Sequence, residues 1–186
     1  SSPNTLNDPV VKEWCEFISN QYIAPKGLDN VLILLPCSAR KPYRLSKSHG
    51  RFIRAINSNS CHEVMVTSPL GLVPRDLEEI WPASHYDIPV TGDWTNDELI
   101  RTQTMLDSLL MRHNYNLVIN HSGMKLETGK VELKETRIGL SAGSSEALEN
   151  LSEAVKEGIQ IHSVANRRNN CLLYTSPSPR DESTSR

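Results

Sequence analysis

The segment "PCSARKPYRLSKSH", residues 36–49, brings together residue types suited to nucleophilic and proton-transfer chemistry. Cys37 reacts as a nucleophile in its thiolate form, which nearby cations favour. Arg40, Lys41 and His49 follow close behind, and His49 is the nearest candidate base or proton donor. The alternative is that Cys37 is a small buried hydrophobe, the usual role of a single cysteine after a strand.

The same region concentrates positive charge in a chain whose formal net charge is −2. Arg40 and Lys41 belong to the loop that is predicted to follow the apolar run at residues 30–35. Four further basic residues recur three or four positions apart and are predicted to share one helical face: Arg44, Lys47, Arg51 and Arg54. Such a face beside a pocket suits a nucleic-acid phosphate backbone. The alternative is a solvated surface helix that happens to be cationic.

The elements that position these residues alternate between helical and strand patterns. Helices are predicted from Pro9, from Ser46, from Thr95 to Asn114 and over residues 144–159, with Asp8, Thr95 and Ser145 as N-caps. Apolar runs at 30–35, 63–69 and 115–120 predict buried strands. Residues 70–94 are predicted to be irregular, with a short helix at "RDLEEI", and 130–140 to add a strand or hairpin arm. This alternation predicts an α/β fold, a three-layer α/β/α sandwich with a mostly parallel sheet.

Three strands of such a sheet end in polar residues. Ligands bind beyond the carboxyl ends of parallel strands, which points to Pro36, Ser68 and His121 and to the loops that follow them. His121 is expected to lie where its imidazole can contact the edge of a nucleobase. In "HYDIP", Asp87 either orients His85, contacts a substrate amine or forms a loop salt bridge.

Composition and motifs exclude several classes of protein. The four cysteines form no C-x-x-C pair, and no H-x-x-x-H or H-E-x-x-H spacing occurs, so we expect no metal site. No glycine-rich phosphate-binding motif occurs, so we expect no nucleotide cofactor. No run approaches the roughly 20 apolar residues of a membrane span. The cysteine usage favours a reducing cytoplasm.

The chain is expected to divide into three parts. Residues 1–7 are predicted to be a linker from a preceding region, and residues 8–165 a single core domain. Residues 171–186 change abruptly to Ser, Pro and Arg without periodicity. We expect them to be a disordered or non-native tail, similar to translated sequencing-adapter read-through.

The segment at residues 36–49 resembles a family signature. It fits the pattern Pro-Cys, three residues, Lys-Pro-Tyr, two residues, Ser, two residues, His, which is similar to that of archaeosine synthase, the archaeal paralogue of tRNA-guanine transglycosylase. "TSPLGLVPRDLE" and "WPASHYDIPVTGDW" resemble further segments of that family's characteristic domain, so the resemblance covers roughly residues 8–160. It implies a fold similar to uracil-DNA glycosylase. The family's transglycosylase-like and PUA domains have no counterpart in these residues.

The resemblance also implies a reaction. Free lysine is joined through its side-chain amine to the nitrile of 7-cyano-7-deazaguanine at position 15 of tRNA, and a radical-SAM partner then releases archaeosine. Two routes stay open: Cys37 adds first to give a thioimidate, or the amine attacks directly while Lys41, Tyr43 or His49 supplies a proton.

Asp87 or Glu78 is expected to bind the lysine. The residues expected to hold the base are Pro36, Ser38, Ser46, Ser68 and His121. A non-catalytic RNA-binding module is the main alternative; a base-excising glycosylase rests on fold analogy alone.

Overall fold

Helices and strands alternate along most of the chain, as the pattern predicts. The computed structural model describes residues 6–85 and 94–175. The helices are α1 (Pro9–Asn20), α2 (Lys47–Ile56), α3 (Asn96–Arg112) and α4 (Ser145–Thr175), with short 3₁₀ helices at Tyr43–Leu45 and Arg75–Leu77. The strands are β1 (Val31–Pro36), β2 (His62–Thr67), β3 (Gly71–Pro74), β4 (Leu117–Asn120) and β5 (Glu132–Glu135).

The five strands form one sheet in the order β3-β2-β1-β4-β5. β1 pairs in parallel with β2 and β4, and β4 pairs in parallel with β5, whereas β3 runs antiparallel to β2. The registers place Leu34 opposite Val64 on one side and Asn120 on the other. The prediction of an α/β fold with a mostly parallel sheet is therefore confirmed.

Helices cover both faces of the sheet. Alternate residues of a strand point to opposite faces, so Leu32 and Leu34 belong to one apolar cluster and Ile33 to another. The first cluster includes residues of α1 and α3, namely Val11, Trp14, Met105 and Leu106. The second includes residues of α2 and α4, namely Phe52, Ile56, Leu151 and Val155. The result is a helix–sheet–helix arrangement of three layers.

Strand β3 lies inside the stretch 70–94 that sequence reasoning predicted to be irregular. Its four residues are all buried, and it is an edge strand that ends at Pro74. A turn with Gly71 at φ +78° reverses the chain after β2, and glycine adopts this backbone conformation at little cost. The predicted helix at 75–80 is limited to the 3₁₀ helix Arg75–Leu77. The run between Pro69 and Pro74 is too short to be recognised as a strand from its sequence.

The helix ends agree with the predicted caps in two of three cases. Asp8 accepts a hydrogen bond from the Val10 amide at 2.8 Å, with Pro9 in the first turn. Thr95 and Glu98 form the predicted capping box. The third prediction is wrong by one residue, because Ser144 rather than Ser145 accepts from the Ala147 amide.

The last helix extends well beyond its predicted end at residue 159. Ala154, Val155 and Gly158 are buried against the sheet, and beyond them Ile161 is exposed. Residues 171–175, predicted as the start of a tail, continue this helix. None of the described helices is long and apolar enough to cross a bilayer.

The capping box of α3 gives a test of local stability. Thr95→Ala removes the hydroxyl that accepts from the Glu98 amide, and we expect the free energy of unfolding to fall by about 1 kcal/mol. Urea unfolding measures it. Thr104→Ala, an exposed position in the middle of the same helix, is the matched control and should change stability by less than about 0.5 kcal/mol. Equal losses in the two variants would contradict a capping role.

Candidate functional site

The carboxyl ends of β1, β2 and β4 lie at one edge of the sheet, because these neighbouring strands are parallel. The loop at residues 36–44 follows β1, Ser68 follows β2, and His121 follows β4. The structure therefore brings the predicted segments to a common edge.

Cys37 lies directly after the last residue of β1 and is half-buried. Burial raises the pKa of its thiol above the ordinary value, and contacts with the Thr67 hydroxyl and with Lys41 only partly oppose this. The expectation of a thiolate favoured by neighbouring cations is wrong, because the loss of hydration outweighs them. Cys37 is a protonated thiol at neutral pH.

Tyr43 is fully buried at the other end of the same loop. Burial raises the pKa of its phenol to about 12, and Thr67 interacts with this group as well as with Cys37. No group among the described residues completes a hydrogen bond to the Tyr43 hydroxyl. An unsatisfied buried hydroxyl costs about 1–3 kcal/mol, and such groups commonly mark a ligand or water position. Lys41 Nζ lies 6.0 Å from the Tyr43 ring centroid.

His49 occupies a different position from the one expected for a proton donor at Cys37. It is fully buried on α2, where its Nε2 lies 2.7 Å from the Pro36 carbonyl oxygen and its Nδ1 lies 3.0 Å from Arg75 Nη2. Because a guanidinium only donates, Nδ1 accepts and Nε2 donates to Pro36. Burial, followed by the charge of Arg75, lowers the pKa of His49 to about 4. Both ring nitrogens are engaged, so His49 holds the loop in place.

Arg75, which sequence reasoning missed, bonds to two carboxylates as well as to His49. It donates to Glu63 Oε1 from Nε at 3.1 Å and from Nη2 at 2.8 Å, and to Glu78 Oε2 from Nη1 at 3.2 Å. Glu78 is almost fully buried and also accepts from the Arg44 amide at 3.3 Å. Glu78 is therefore already bonded to Arg75 and Arg44, which does not fit its predicted role of binding a lysine amine. The three-residue spacing of Arg75 and Glu78 was the available signal for this network.

The three serines predicted to contact a nucleobase differ from one another in their hydrogen bonds. Ser46 is the N-cap of α2 and accepts from the His49 amide at 3.1 Å. Ser68 donates to Glu98, which links the loop after β2 to α3. Ser38 donates to the Arg40 carbonyl at 3.0 Å within the loop. Ser38 and Ser68 are half-buried at the sheet edge, whereas Ser46 serves the helix end.

His121 lies at the predicted edge but is fully buried. Its Nδ1 lies 2.7 Å from Thr136 Oγ1, and its Nε2 lies 2.8 Å from the Ala142 carbonyl oxygen. Burial lowers its pKa. The prediction that it orients a base does not fit these contacts, because both nitrogens already hold the loops after β4 and β5. Asp87 lies outside the described residues.

The basic face of α2 is smaller than predicted. Lys47, Arg51 and Arg54 are exposed and share one side of the helix. Arg44 lies in the preceding 3₁₀ helix, where it pairs with Glu79. Arg40 is exposed in the loop. The cationic surface near the site therefore consists of Arg40, Lys47, Arg51 and Arg54.

A second buried polar cluster lies at the opposite edge of the sheet. His62 is buried between two tyrosines: Nε2 lies 2.7 Å from Tyr22 Oη and Nδ1 lies 2.6 Å from Tyr115 Oη. Tyr22 in turn donates to Asp76 at 2.8 Å. His62 starts β2, so the cluster ties the amino ends of the strands together, away from Cys37. Within residues 6–85 and 94–175, no three potential metal-binding side chains converge.

Comparison with known proteins identifies the family. Residues 11–155 match the model described as Domain of unknown function (DUF5591), which is most of the chain. The chain belongs to this family.

Named relatives share the same region. The chain is 46% identical over 121 residues to archaeosine synthase subunit alpha of Thermoplasma acidophilum, an alignment that covers 62% of this chain and 23% of the relative. It is 48% identical over 113 residues to archaeosine synthase subunit alpha of Methanosarcina acetivorans, covering 60% of this chain and 18% of the relative. It is 37% identical over 161 residues to archaeosine synthase of Methanocaldococcus jannaschii, covering 82% and 27%. The chain thus spans less than a third of the length of these relatives.

A solved structure shares the fold. The crystal structure of AF0587, a protein of unknown function, superposes with a TM-score of 0.60 at 24% identity and covers 76% of this chain and 49% of that protein. At this identity, the likeness supports the α/β architecture of the DUF5591 domain and no statement about its chemistry.

The lowered pKa of His49 makes folding stability depend on pH. In the unfolded chain His49 titrates near 6.5, and in the folded protein near 4. The unfolded state therefore binds the extra proton between these values, so stability is retained above pH 6.5 and is lost as the pH falls toward 4. The loss attributable to His49 is about 3 kcal/mol.

His49→Gln is the matched variant, since a glutamine amide can both donate to Pro36 and accept from Arg75 without titrating. Urea unfolding between pH 7 and pH 4 should show a shallower fall for the variant than for the parent protein. His113 and His121, whose pKa values burial also lowers, are present in both proteins and cancel in the difference. Identical slopes would show that His49 does not titrate as assigned.

Proposed function

We propose that this domain belongs to a tRNA-modifying enzyme of archaeosine biosynthesis and adds free lysine, through its side-chain amine, to the nitrile of 7-cyano-7-deazaguanine at position 15. The relatives named archaeosine synthase support the pathway. The observation that carries the chemistry is the loop after β1, where the half-buried Cys37 thiol, Lys41 and the buried Tyr43 hydroxyl are held together. Nitrile addition needs a nucleophile and a proton for nitrogen, and this loop contains both.

The thioimidate route uses the protonated state of Cys37. Sγ bonds to the nitrile carbon while the thiol proton, directly or through a neighbouring group, reaches the nitrile nitrogen, and the product is a thioimidate. The lysine amine then attacks the same carbon, the C–S bond breaks, and the amidine forms with the thiol regenerated. The two steps balance without an oxidant or a reductant. Burial of Cys37 favours this neutral addition over attack by a free thiolate.

Direct attack by the amine is the second route. In that case Lys41 or Tyr43 protonates the developing imine nitrogen, and Cys37 shapes the pocket. The unsatisfied Tyr43 hydroxyl supports its assignment as a hydrogen-bond donor to the substrate. We assign His49 to positioning in both routes, because its nitrogens are already bonded.

Ser38 and Ser68, which are half-buried at the sheet edge, are proposed to contact the base. Asp87 is proposed, from the sequence resemblance alone, to bind the cationic end or the α-amino group of lysine. The three-layer arrangement, with Cys37, Ser68 and His121 following parallel strands at one edge of the sheet, supports the proposed likeness to uracil-DNA glycosylase. Because the chain spans only 18–29% of its relatives, a radical-SAM partner and the full tRNA site are proposals for the whole protein. A tRNA substrate would place the enzyme in the cytoplasm.

A nucleoside adduct tests the reaction. The protein is incubated with lysine and a tRNA that carries the cyano-deazaguanine, and the nucleosides are examined by mass spectrometry. We expect a lysine adduct from the parent protein and at least a roughly 100-fold loss of adduct in Cys37→Ala. Cys61→Ala, which changes a buried cysteine directly before β2, is the control and should form the adduct like the parent protein.

The outcomes separate the two routes and the alternative. An adduct from Cys37→Ala at the parent rate would assign the chemistry to direct attack. No adduct from any of the proteins, with tRNA still bound, would contradict the transferase and favour the RNA-binding module.

The exposed basic face of α2 is the observation that favours RNA binding, either as part of the enzyme or alone. Arg51→Gln with Arg54→Gln should weaken tRNA binding and reduce the slope of log K against log salt by about 0.7–0.9 for each phosphate that the variant no longer neutralises. Fluorescence titration at several salt concentrations measures both quantities. Lys156→Gln, an exposed cation on α4, is the control. Unchanged affinity and slope in the double variant would exclude this face from the interface.

A further inference from the structure

The loop at residues 36–44 is fastened at both of its ends by side chains from outside it. At its start, His49 Nε2 donates to the Pro36 carbonyl at 2.7 Å. At its end, the Arg44 amide donates to Glu78 Oε2 at 3.3 Å. Between these two bonds lie Cys37, Lys41 and Tyr43.

Arg75 bonds to both of the side chains that hold the loop, His49 and Glu78. Arg75 donates from Nη2 to His49 Nδ1 at 3.0 Å and from Nη1 to Glu78 Oε2 at 3.2 Å. Glu63 accepts from Nε and Nη2 of the same guanidinium and so fixes its plane. A planar guanidinium has donors in several fixed directions, whereas a lysine ammonium is a single compact charge.

We propose that Arg75 is a positioning residue that ties the two ends of the Cys37-bearing loop to each other, through His49 at one end and Glu78 at the other. This role deepens the proposed function and rests on it only for its catalytic consequence. The fastening itself is a property of the fold.

Because Glu63, Arg75 and Glu78 are largely buried, we expect the bonds at the two ends of the loop to depend on one another. The side chain of Glu78 is 3% exposed, that of Glu63 is 12% exposed and that of Arg75 is 18% exposed. Arg75 bonds to both carboxylates in this largely dry site, whereas the Arg44 guanidinium adds only a longer ion pair to Glu78 at 3.8 Å, so removing the Arg75 guanidinium leaves two buried carboxylates without their shared partner. His49 simultaneously loses the donor that determines which of its nitrogens carries the proton. Both ends of the loop should therefore loosen together.

Reactivity of Cys37 reports the loosening without any assumption about substrate. Iodoacetamide labelling of the native protein, resolved by residue with mass spectrometry, gives separate rates for Cys37, Cys15 and Cys61. In Arg75→Gln we expect the Cys37 rate to rise about tenfold, because the loop opens more often, while the buried Cys15 and Cys61 stay at their parent rates. Arg75→Lys should behave like Arg75→Gln, since charge without the guanidinium geometry does not restore the bonds.

A matched control separates this role from a general effect of removing a partly buried arginine. Arg112 bonds through Nη1 to the Ser19 carbonyl at 3.3 Å, far from the loop. Arg112→Gln should leave the Cys37 rate unchanged. A parent-like Cys37 rate in a folded Arg75→Gln, or full rescue by Arg75→Lys, would overturn the proposal.

Global unfolding is recognised by faster labelling of Cys15 and Cys61 as well as Cys37. In that event Glu78→Gln, which keeps an acceptor oxygen and the shape of the side chain, is measured in the same way. We expect a smaller but selective rise at Cys37, and its absence would overturn the proposal.

The catalytic consequence is read in the adduct assay. Arg75→Gln should lower kcat about tenfold or more, with a nearly unchanged KM for tRNA, because the basic face of α2 is intact. If the parent protein forms no adduct, the proposed function fails while the labelling result still decides the role of Arg75. If kcat is unchanged in a variant whose Cys37 labels faster, the loop fastening stands and its link to catalysis is wrong.

Discussion

The structure depends on the complete enclosure of strand β1. Its residues 31–35 are at most 3% exposed, with strands on both sides and helices on both faces. In such a place every backbone polar group must be paired, and parallel pairing with β2 and β4 supplies the partners. Pro36 has no N–H to donate, so the chain leaves the sheet there, at the edge where three strand ends meet. The loop with Cys37 is the direct continuation of this buried strand.

Burial at that edge controls the protonation states of the groups around the site. Burial raises the pKa values of Cys37 and Tyr43 and lowers that of His49, so it favours the neutral form of all three groups. The largely buried charges of Glu63, Arg75 and Glu78 are balanced by several bonds among these three side chains. The site is therefore equipped with neutral donors, which suits addition to an uncharged nitrile under the proposed function.

The two edges of the sheet hold polar clusters with different consequences. At the amino edge, Tyr22, His62 and Tyr115 satisfy one another and the chain closes over them. At the carboxyl edge, Tyr43 is left without a hydrogen-bond partner among the described residues, beside a half-buried thiol. A satisfied network contributes to stability, whereas an unsatisfied buried group calls for an explanation, and the proposed function supplies one in the form of a substrate contact.

The sequence by itself determined the layers of the fold, three strands, the caps at Asp8 and Thr95, and the edge at which Cys37 lies. These follow from local patterns: apolar runs of strand length, helical periodicity and capping residues a few positions apart. The tertiary structure alone decided what the polar side chains do. His49 and Glu78 have the residue types of catalytic or substrate-binding groups, yet Arg75, which is 26 residues from His49 along the chain, engages both. Hydration and long-range pairing set the pKa values of such groups and the hydrogen bonds left open to a ligand, and neither is visible in the spacing of residues along the chain.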